Sequence, residues 1–240
     1  MLQQLNQAQK QAFIAYVKPM VSDERLQRFD AILAERLGHI HIVLEDIYQA
    51  HNASAVLRSV DCFGIQNVHF IETRNFYKVS DDVALGASQW LSIHRHKNTK
   101  QTLHELKQQG FKIVATTPHK NDKTIYDFDV TQKFALVFGT EKEGISQDIV
   151  DAADEFVKIP MYGFTESFNI SVCAAMCMNE FSNKIRQKSS GLLSEDVRMK
   201  IPNPYLTEQE KQDIYIQWLL KSIRKSDLIL KDFIRKQEVK

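Results

Sequence analysis

The sequence is short of several things: long apolar runs, glycine, proline, cysteine and net charge. Its 240 residues include 8 glycines, 5 prolines and 3 cysteines, and the formal net charge is +1. No run of about eighteen apolar residues is present to span a membrane, and no apolar segment near the amino terminus resembles a secretory signal. We therefore expect a cytoplasmic protein without membrane partners. The near-zero net charge excludes a strong global field but leaves room for a local basic surface that binds nucleic acid.

The cysteine and histidine residues do not indicate a disulfide or a metal site. Cys62, Cys173 and Cys177 form no CxxC pair, so reduced thiols in apolar helices are expected. Two histidine pairs have strand spacing, His39 with His41 and His94 with His96, but no cysteine or carboxylate completes a ligand set of known spacing. We therefore expect no metal ion in the site.

The patterns of the common nucleotide-dependent and hydrolytic enzymes are also missing. The chain contains no GxSxG, no Walker A loop, no HExxH and no GxGxxG. An enzyme that uses NAD on a Rossmann fold would fit alternating strands and helices, but its glycine fingerprint is absent.

Between positions 41 and 187, short β-branched and aromatic runs alternate with helical patterns. This alternation predicts an α/β fold, a mostly parallel sheet with helices on both faces. The predicted strands are Ile42–Leu44, Val68–Ile71, Leu91–His94, Phe111–Ala115, Phe134–Phe138 and Phe156–Ile159, and the predicted helices are Ala53–Phe63, Lys100–Gln109, Gln147–Ala153 and Ile170–Gln187. Gly64 and Gly110 each follow a helix, where a left-handed cap residue is favoured.

Helical arms flank this α/β domain. Residues 1–40 read as helical, with Ser22 as a cap and Gly38 as a stop. Residues 188–240 begin as a linker or lid, marked by Ser189–Gly191 and Pro202–Pro204, and end in an amphipathic helix. The basic residues of that helix are Lys221, Arg224, Lys225, Lys231, Arg235 and Lys236.

Three segments that follow predicted strands call for a chemical explanation. In the first, Asn52 is expected to cap a helix that carries Arg58. Arg58 could lie along the surface or pair with Asp61, or its planar guanidinium could be aimed at a phosphate or a developing oxyanion. The residue pattern alone leaves both readings open.

The second segment places Gly139, Glu141 and Gly144 between a buried strand and a helix. Its glycines suit either close approach to a ligand or a plain turn. The third segment runs from Ile159 to Val172, and Ser167 or Asn169 is expected to cap the long helix that follows.

Together, the order and spacing of these segments resemble the three motifs of the SpoU branch of the SPOUT RNA methyltransferases. The matching residues are Asn52 and Arg58 in the first motif, Gly139, Glu141 and Gly144 in the second, and Ile159–Met161 with Ser167–Val172 in the third. Thr140 departs from the family, which commonly has Asn or Ala there. The helical arms make the chain most similar to the TrmH-type members, which methylate a guanosine in the tRNA D-loop.

The resemblance implies a C-terminal trefoil knot, a homodimer and S-adenosylmethionine as methyl donor. It assigns catalysis to Arg58, supported by Asn52, Glu141, Ser167 and Asn169, and donor binding to Thr116, Gly139, Ile159 and Phe168. Its substrate would be the 2′-hydroxyl of a tRNA or another structured RNA. Two alternatives remain: methylation of ribosomal RNA, and RNA binding without catalysis. Candidate phosphate contacts are Arg58, Arg95, Lys97, Lys142, Arg186, Lys188 and the basic residues of the C-terminal helix.

Overall fold

The computed structural model describes residues 5–75, 84, 86–118, 123–189, 201 and 203–238. The chain forms two compact units. A central unit comprises Leu37–Tyr205, and a terminal unit combines the two chain ends, Met1–Arg36 and Leu206–Lys240. Among the described residues, no helix is long and apolar enough to cross a membrane.

The regular elements agree closely with those the sequence predicts. The strands are β1 (Leu37–Glu45), β2 (Ile65–Ile71), β3 (Ser92–His96), β4 (Lys112–Thr116), β5 (Lys123–Thr124), β6 (Phe134–Phe138) and β7 (Glu155–Lys158). The helices are α1 (Gln7–Val17), α2 (Asp23–Ala34), α3 (Ala50–Cys62), α4 (Thr99–Gln108), α5 (Gln147–Ala152), α6 (Ile170–Ser189), α7 (Glu208–Ser222) and α8 (Ser226–Glu238). Strand β5, only two residues long, carries no pattern that would have predicted it.

The central unit is built on one parallel sheet with helices on both faces. Its strand order is β3-β2-β1-β6-β4-β7-β5, and every pairing is parallel. Alternate residues of β1 point to opposite faces: Ile42 packs in one apolar cluster with α3 and α6, whereas Val43 packs in another with α4 and α5. Because both faces are covered, the central strands are mainly apolar. The predicted α/β class and parallel sheet are confirmed.

One expectation about the first helical arm is wrong, and another holds only for the position of the residue. Gly38 does not stop a helix, because α2 ends at Ala34 and Gly38 lies inside β1. Its N–H donates to the Pro204 carbonyl oxygen at 3.0 Å, which holds this part of the chain extended. Ser22 does occupy the cap position of α2, but its side chain makes no capping hydrogen bond. Gly64 and Gly110 have φ of 71° and 83°, as predicted for residues that end helices.

The terminal unit packs helices from both ends of the chain. The ring of Phe29 on α2 meets Trp218 on α7 edge-on at 5.4 Å, and Phe13 on α1 meets Phe233 on α8 at 5.1 Å. The prediction of a single C-terminal helix is wrong. The chain breaks it into α7 and α8, and Lys225 between them has a left-handed φ of 55°.

Within the predicted linker, Ser190, Gly191 and Pro202 lie outside the described residues. Of its other positions, Ser189 ends α6, and Tyr205 forms an isolated bridge with Leu37.

A row of histidines crosses three adjacent strands of the central sheet. Ring nitrogens of His41 and His69 lie 3.0 Å apart, and those of His69 and His96 are also 3.0 Å apart. Burial, reinforced by neighbouring positive charge, lowers the pKa of His41 to about 3 and that of His69 to about 2. These rings are therefore neutral at physiological pH. Among the described residues, no three His, Cys, Asp or Glu side chains are arranged to hold a metal ion.

Candidate active site

The site begins where the buried strand β1 gives way to α3. The carboxylate of Glu141 accepts hydrogen bonds from the N–H groups of Tyr48 at 3.0 Å and Gln49 at 3.4 Å, just ahead of the helix. Free N–H groups at a helix start favour an acidic partner. The prediction that Asn52 caps this helix is wrong, because α3 begins at Ala50 and Asn52 already lies in its first turn.

Asn52 instead connects the three motif segments. It is buried, and its side-chain amide donates to Glu141 at 2.9 Å and to the Gln49 side chain at 3.2 Å. The side-chain oxygen Oδ1 of Asn52 accepts a hydrogen bond from the Asn169 side chain at 3.2 Å. One residue from each predicted motif therefore meets in a single hydrogen-bonded network.

The Glu141 carboxylate is held in its charged form by this network. Burial on its own would raise the pKa of Glu141, but the hydrogen bonds from Asn52, Tyr48 and Gln49 outweigh it and lower the pKa below its ordinary value. At neutral pH the network therefore contains a fixed negative charge at the start of α3.

The loop carrying Glu141 is closed by its own backbone. Thr140 and Gly144 exchange two hydrogen bonds of 2.8 and 3.1 Å. A Cβ added at Gly139 would lie 2.2 Å from the Gly144 carbonyl oxygen, and Gly144 has a φ of 72°. Of the two readings of these glycines, the turn accounts for both without a ligand. The donor-binding role of Gly139 stays a prediction.

The third segment leads into the long core helix α6. The Asn169 carboxamide oxygen accepts hydrogen bonds from the N–H of Ser171 at 2.9 Å and from its hydroxyl at 2.7 Å. Of the two predicted caps, Asn169 is therefore the one in place. Ser167 is exposed and has no hydrogen-bond partner among the residues that the structure describes.

Arg58 lies outside the network. It is exposed on α3, and no hydrogen bond or ion pair joins it to another residue in the described ranges, so the Asp61 pair is not formed. Six residues along a helix correspond to about 9 Å of rise, which separates Arg58 from Asn52. Its guanidinium is thus available to an external anion.

Three of the residues assigned to the methyl donor lie at the carboxyl ends of neighbouring strands. Thr116 ends β4, Gly139 follows β6 and Ile159 follows β7, and β4 lies between the other two strands. Phe168 is 42% exposed and directly precedes the network residue Asn169. The same loop also exposes Tyr162 and Phe164, at 97% and 108%.

A second polar cluster beside the network was missed by the sequence reasoning. Asp46, with a φ of 46°, accepts hydrogen bonds from the N–H groups of Thr73 at 2.8 Å and Arg74 at 2.9 Å. Burial raises the pKa of Asp46, but these and further hydrogen bonds lower it overall. Arg74 also binds Glu143 at 2.6 Å, so the cluster anchors the far side of the closed loop. The signal was the acidic pair Glu45 and Asp46 at the end of β1, since charges at the end of a buried strand need partners.

A cavity of about 450 Å³ opens beside this second cluster. Asp46, Arg74, Lys97, Glu143 and Ser146 are among its lining residues. None of the residues that the resemblance assigns to catalysis or donor binding lines it. The cavity is therefore separate from the predicted site residues.

The candidate phosphate contacts differ in their surroundings. Arg95 is paired with Glu72 at 2.5 Å, and Arg186 donates to the Phe63 carbonyl oxygen at 3.4 Å. The Lys142 ammonium lies over the Tyr48 ring, whereas Lys97 has no hydrogen bond or ion pair within the described part of the chain. The side chain of Lys188 lies outside the described residues.

Comparisons with known proteins agree with the family predicted from the three motifs. The model of the SpoU rRNA methylase family matches residues 39–179. A tRNA (guanosine(18)-2′-O)-methyltransferase of Borreliella burgdorferi is 37% identical over 210 residues, 87% of this chain and 96% of that protein.

Solved structures show the same fold. The crystal structure of the A. aeolicus TrmH/SpoU tRNA modifying enzyme matches with a TM-score of 0.73 and 29% identity, over 85% of this chain and 98% of that one. The Streptomyces viridochromogenes methyltransferase AviRb, in complex with the cofactor AdoMet, matches with a TM-score of 0.56 and 20% identity, over 63% and 59% of the chains.

Proposed function

Because the chain belongs to the SpoU rRNA methylase family, we propose that it methylates a ribose 2′-hydroxyl of tRNA, at the D-loop guanosine. The observation that carries the proposal is the hydrogen-bonded meeting of Asn52, Glu141 and Asn169, one from each motif. The likeness to a tRNA guanosine methyltransferase over 87% of the chain supports tRNA as the substrate. Such a substrate also supports a cytoplasmic location.

S-adenosylmethionine fits the residues at this edge of the sheet. Three neighbouring strands end there, with the exposed Phe168 ring as apolar surface for an adenine and with backbone groups at Gly139 and Ile159 to bind its polar edge. The donor supplies an activated methyl group on a sulfonium whose leaving thioether is neutral, so the transfer needs no metal ion. Thr116, Gly139, Ile159 and Phe168 would hold it.

The chemical difficulty lies with the nucleophile, since a ribose hydroxyl is a weak acid. A protein must orient that oxygen and stabilise the negative charge that develops on it. Arg58 suits this task because its guanidinium is exposed and unpaired among the described residues, and its fork can bind an oxygen and a phosphate together. A guanidinium keeps its proton in proteins and is a poor base, so we assign Arg58 the role of a charge clamp.

The remaining site residues position the reacting groups. Asn52 and Glu141 fix the first turn of the helix that carries Arg58. Asn169 ties α6 to the same helix, and Ser167, exposed beside it, is free to bind the ribose.

We extend the proposal to a knotted homodimer. The loop before α6 exposes Tyr162, Phe164 and Phe168, and Val172 on α6 is 46% exposed. Adjacent exposed apolar side chains of this size are typical of a surface that another chain covers. The trefoil knot in this proposal rests on the family to which the chain belongs.

The test is methyl transfer to defined RNA. The purified protein, incubated with S-adenosylmethionine, should methylate a tRNA transcript at the D-loop guanosine, located by mass spectrometry of nuclease fragments. Methylation of a ribosomal RNA fragment instead would assign the other substrate, and tight RNA binding without methyl transfer would make the chain a non-catalytic binder. Light scattering should give twice the chain mass of 27.8 kDa, and a monomer at micromolar concentration would contradict the dimer.

A further inference from the structure

The aromatic ring of Tyr48 is exposed beside the hydrogen-bonded network of Asn52, Glu141 and Asn169. Its side chain is 64% exposed, although the neighbouring Ile47 is buried. The Lys142 ammonium lies 5.1 Å from the ring centroid. An exposed aromatic ring can stack on a planar base, and a cation beside it can bind a phosphate. Because the pair lies beside a site proposed to act on RNA, a nucleotide is the ligand that suits it.

The backbone presents this ring rigidly. The Tyr48 N–H is bound by the Glu141 carboxylate at 3.0 Å. Two residues earlier, Asp46 is held by hydrogen bonds to the segment that follows β2. Lys142 comes from the loop closed between Thr140 and Gly144. Ring and cation are therefore attached to the elements that fix Asn52 and Glu141, so a ligand bound to them would be aligned with the site.

We propose that Tyr48 and Lys142 form a subsite for one unpaired nucleotide of the substrate RNA, its base stacked on the Tyr48 ring and its phosphate bound by Lys142. The inference rests on the proposed function and deepens it. Single-stranded RNA is recognised mainly through unstacked bases on aromatic rings, with cations along the backbone. Stacking of the base depends only on the aromatic ring of Tyr48. The Lys142 ammonium neutralises a phosphate, so it contributes to the salt dependence of RNA affinity.

The test compares Tyr48→Phe, Tyr48→Leu and Lys142→Gln with Tyr126→Leu. Tyr126 is also largely exposed, at 55%, but follows the edge strand β5. Removing one base–aromatic stack weakens binding by about 5- to 150-fold. We expect Tyr48→Leu to raise the Kd and KM for tRNA by that factor, while Tyr48→Phe and Tyr126→Leu stay within about twofold. Lys142→Gln should reduce the slope of log K against log salt by about 0.7, the value for one phosphate of a single strand that is no longer neutralised.

Donor binding and oligomeric state are measured on the same samples. Calorimetry with S-adenosylmethionine and light scattering should give wild-type values for Tyr48→Leu, because the side chain is proposed to touch only RNA. Unchanged tRNA binding in Tyr48→Leu, equal damage in Tyr48→Phe, or loss of the dimer would each overturn the subsite. The proposed function is tested separately: if the wild-type protein binds but does not methylate tRNA, that function fails while the binding comparison still decides the subsite.

Discussion

The side-chain amide of Asn169 donates a hydrogen bond to the side-chain oxygen Oδ1 of Asn52 at 3.2 Å, across 117 residues of chain. Asn52 in turn donates to Glu141, so a segment from each third of the central unit meets at one buried amide. The arrangement lets the fold set the position of the α3 start and of the α6 start together. Changing the charge or shape of Asn52 should therefore affect both.

Replacing Asn52 tests this coupling. Asn52→Ala removes the three hydrogen bonds of a buried amide, whose partners Gln49, Glu141 and Asn169 are exposed, and should cost about 1–3 kcal/mol of unfolding free energy. Asn52→Asp keeps the shape but sets a second carboxylate against Glu141, which raises the pKa of the pair. Its loss of stability should therefore be larger at pH 8 than at pH 5, as measured by urea unfolding. As a control, Asn98→Asp changes the cap of α4, where aspartate serves equally well; an equal pH dependence there would contradict the explanation.

Gly139 tests the closure of the second loop. In Gly139→Ala the new Cβ would meet backbone atoms of Gly144 at 2.2 Å, and such overpacking costs about 1–3 kcal/mol. Gly163 is the matched control, since the nearest atom to an added Cβ there is the Thr165 nitrogen at 4.0 Å. Thermal unfolding should show a clear loss of stability for Gly139→Ala and almost none for Gly163→Ala. Similar midpoints for the two variants would mean that the loop opens at little cost.

Much of the architecture could be predicted because it follows from periodicity. The buried strands of a parallel sheet are continuous apolar runs, and Gly64 and Gly110 mark helix ends through their positive φ. The position of Asn52 could not be read in the same way, since a cap and a first-turn residue have the same local pattern. Its role depends on Glu141 and Asn169, which are distant in sequence.

Other features depended on tertiary neighbours that the sequence does not display. Nothing in the spacing of the histidines shows that His69 pairs in register with His94 and lies within contact of His41 and His96. Likewise, the amphipathic sequence pattern continues across Lys225, although the backbone there leaves the helical conformation. The sequence therefore predicts one C-terminal helix where the structure has two.

The histidine row predicts sensitivity to acid. His41 and His69 have folded-state pKa values of about 3 and about 2, because burial disfavours their charged forms. The unfolded chain binds protons near pH 6.5, so their stabilising contribution is complete above that pH and is lost as the pH falls towards 3. Each ring adds about 1.4 kcal/mol per pH unit to the slope within that window.

His69→Asn should remove one such contribution from the slope between pH 4.5 and 6. His104→Asn, at an exposed histidine on α4, serves as the control and should leave the slope unchanged. Unfolding free energies from urea titrations at several pH values provide the measurement. A slope in His69→Asn equal to that of the wild type would show that this ring is already protonated in the folded protein.

The basic surface of the C-terminal helices should contribute to RNA affinity. Deleting everything after Tyr205 would also remove the α7 packing against α2, so charge changes are the cleaner test. Arg224 and Lys231 are exposed and have no ion-pair partner among the described residues, whereas Arg235 and Lys236 both pair with Asp232. Arg224→Gln combined with Lys231→Gln should lower the salt slope of tRNA binding by about 0.7–0.9 for each phosphate that is no longer neutralised.

The paired cations provide the matched double variant, Arg235→Gln with Lys236→Gln, which should change the slope less. Filter binding of tRNA over a range of salt concentrations measures both. If the first double variant keeps the wild-type slope and affinity, these helices serve the fold rather than RNA.

Arg58 carries the strongest prediction. An exposed arginine that only lies along the surface can be replaced by lysine at little cost, because the stem and the charge remain. A clamp on the 2′-oxygen and a phosphate cannot, because an ammonium does not reproduce the planar fork. Removing one such charge interaction from the transition state costs about 10²–10³ in rate, or about 3–4 kcal/mol. Arg58→Lys and Arg58→Ala should both slow single-turnover methylation of tRNA by at least that factor.

Both variants should fold and bind the donor normally, since Arg58 is exposed and lies outside the hydrogen-bonded network. Calorimetry with S-adenosylmethionine checks donor binding. Arg28→Lys, at an exposed arginine on α2, controls for the substitution itself and should keep the wild-type rate. Near-wild-type turnover in Arg58→Lys would make the residue structural. Loss of donor binding in both variants would place it in the donor pocket instead, because a group that acts only on the nucleophile contributes nothing before RNA arrives.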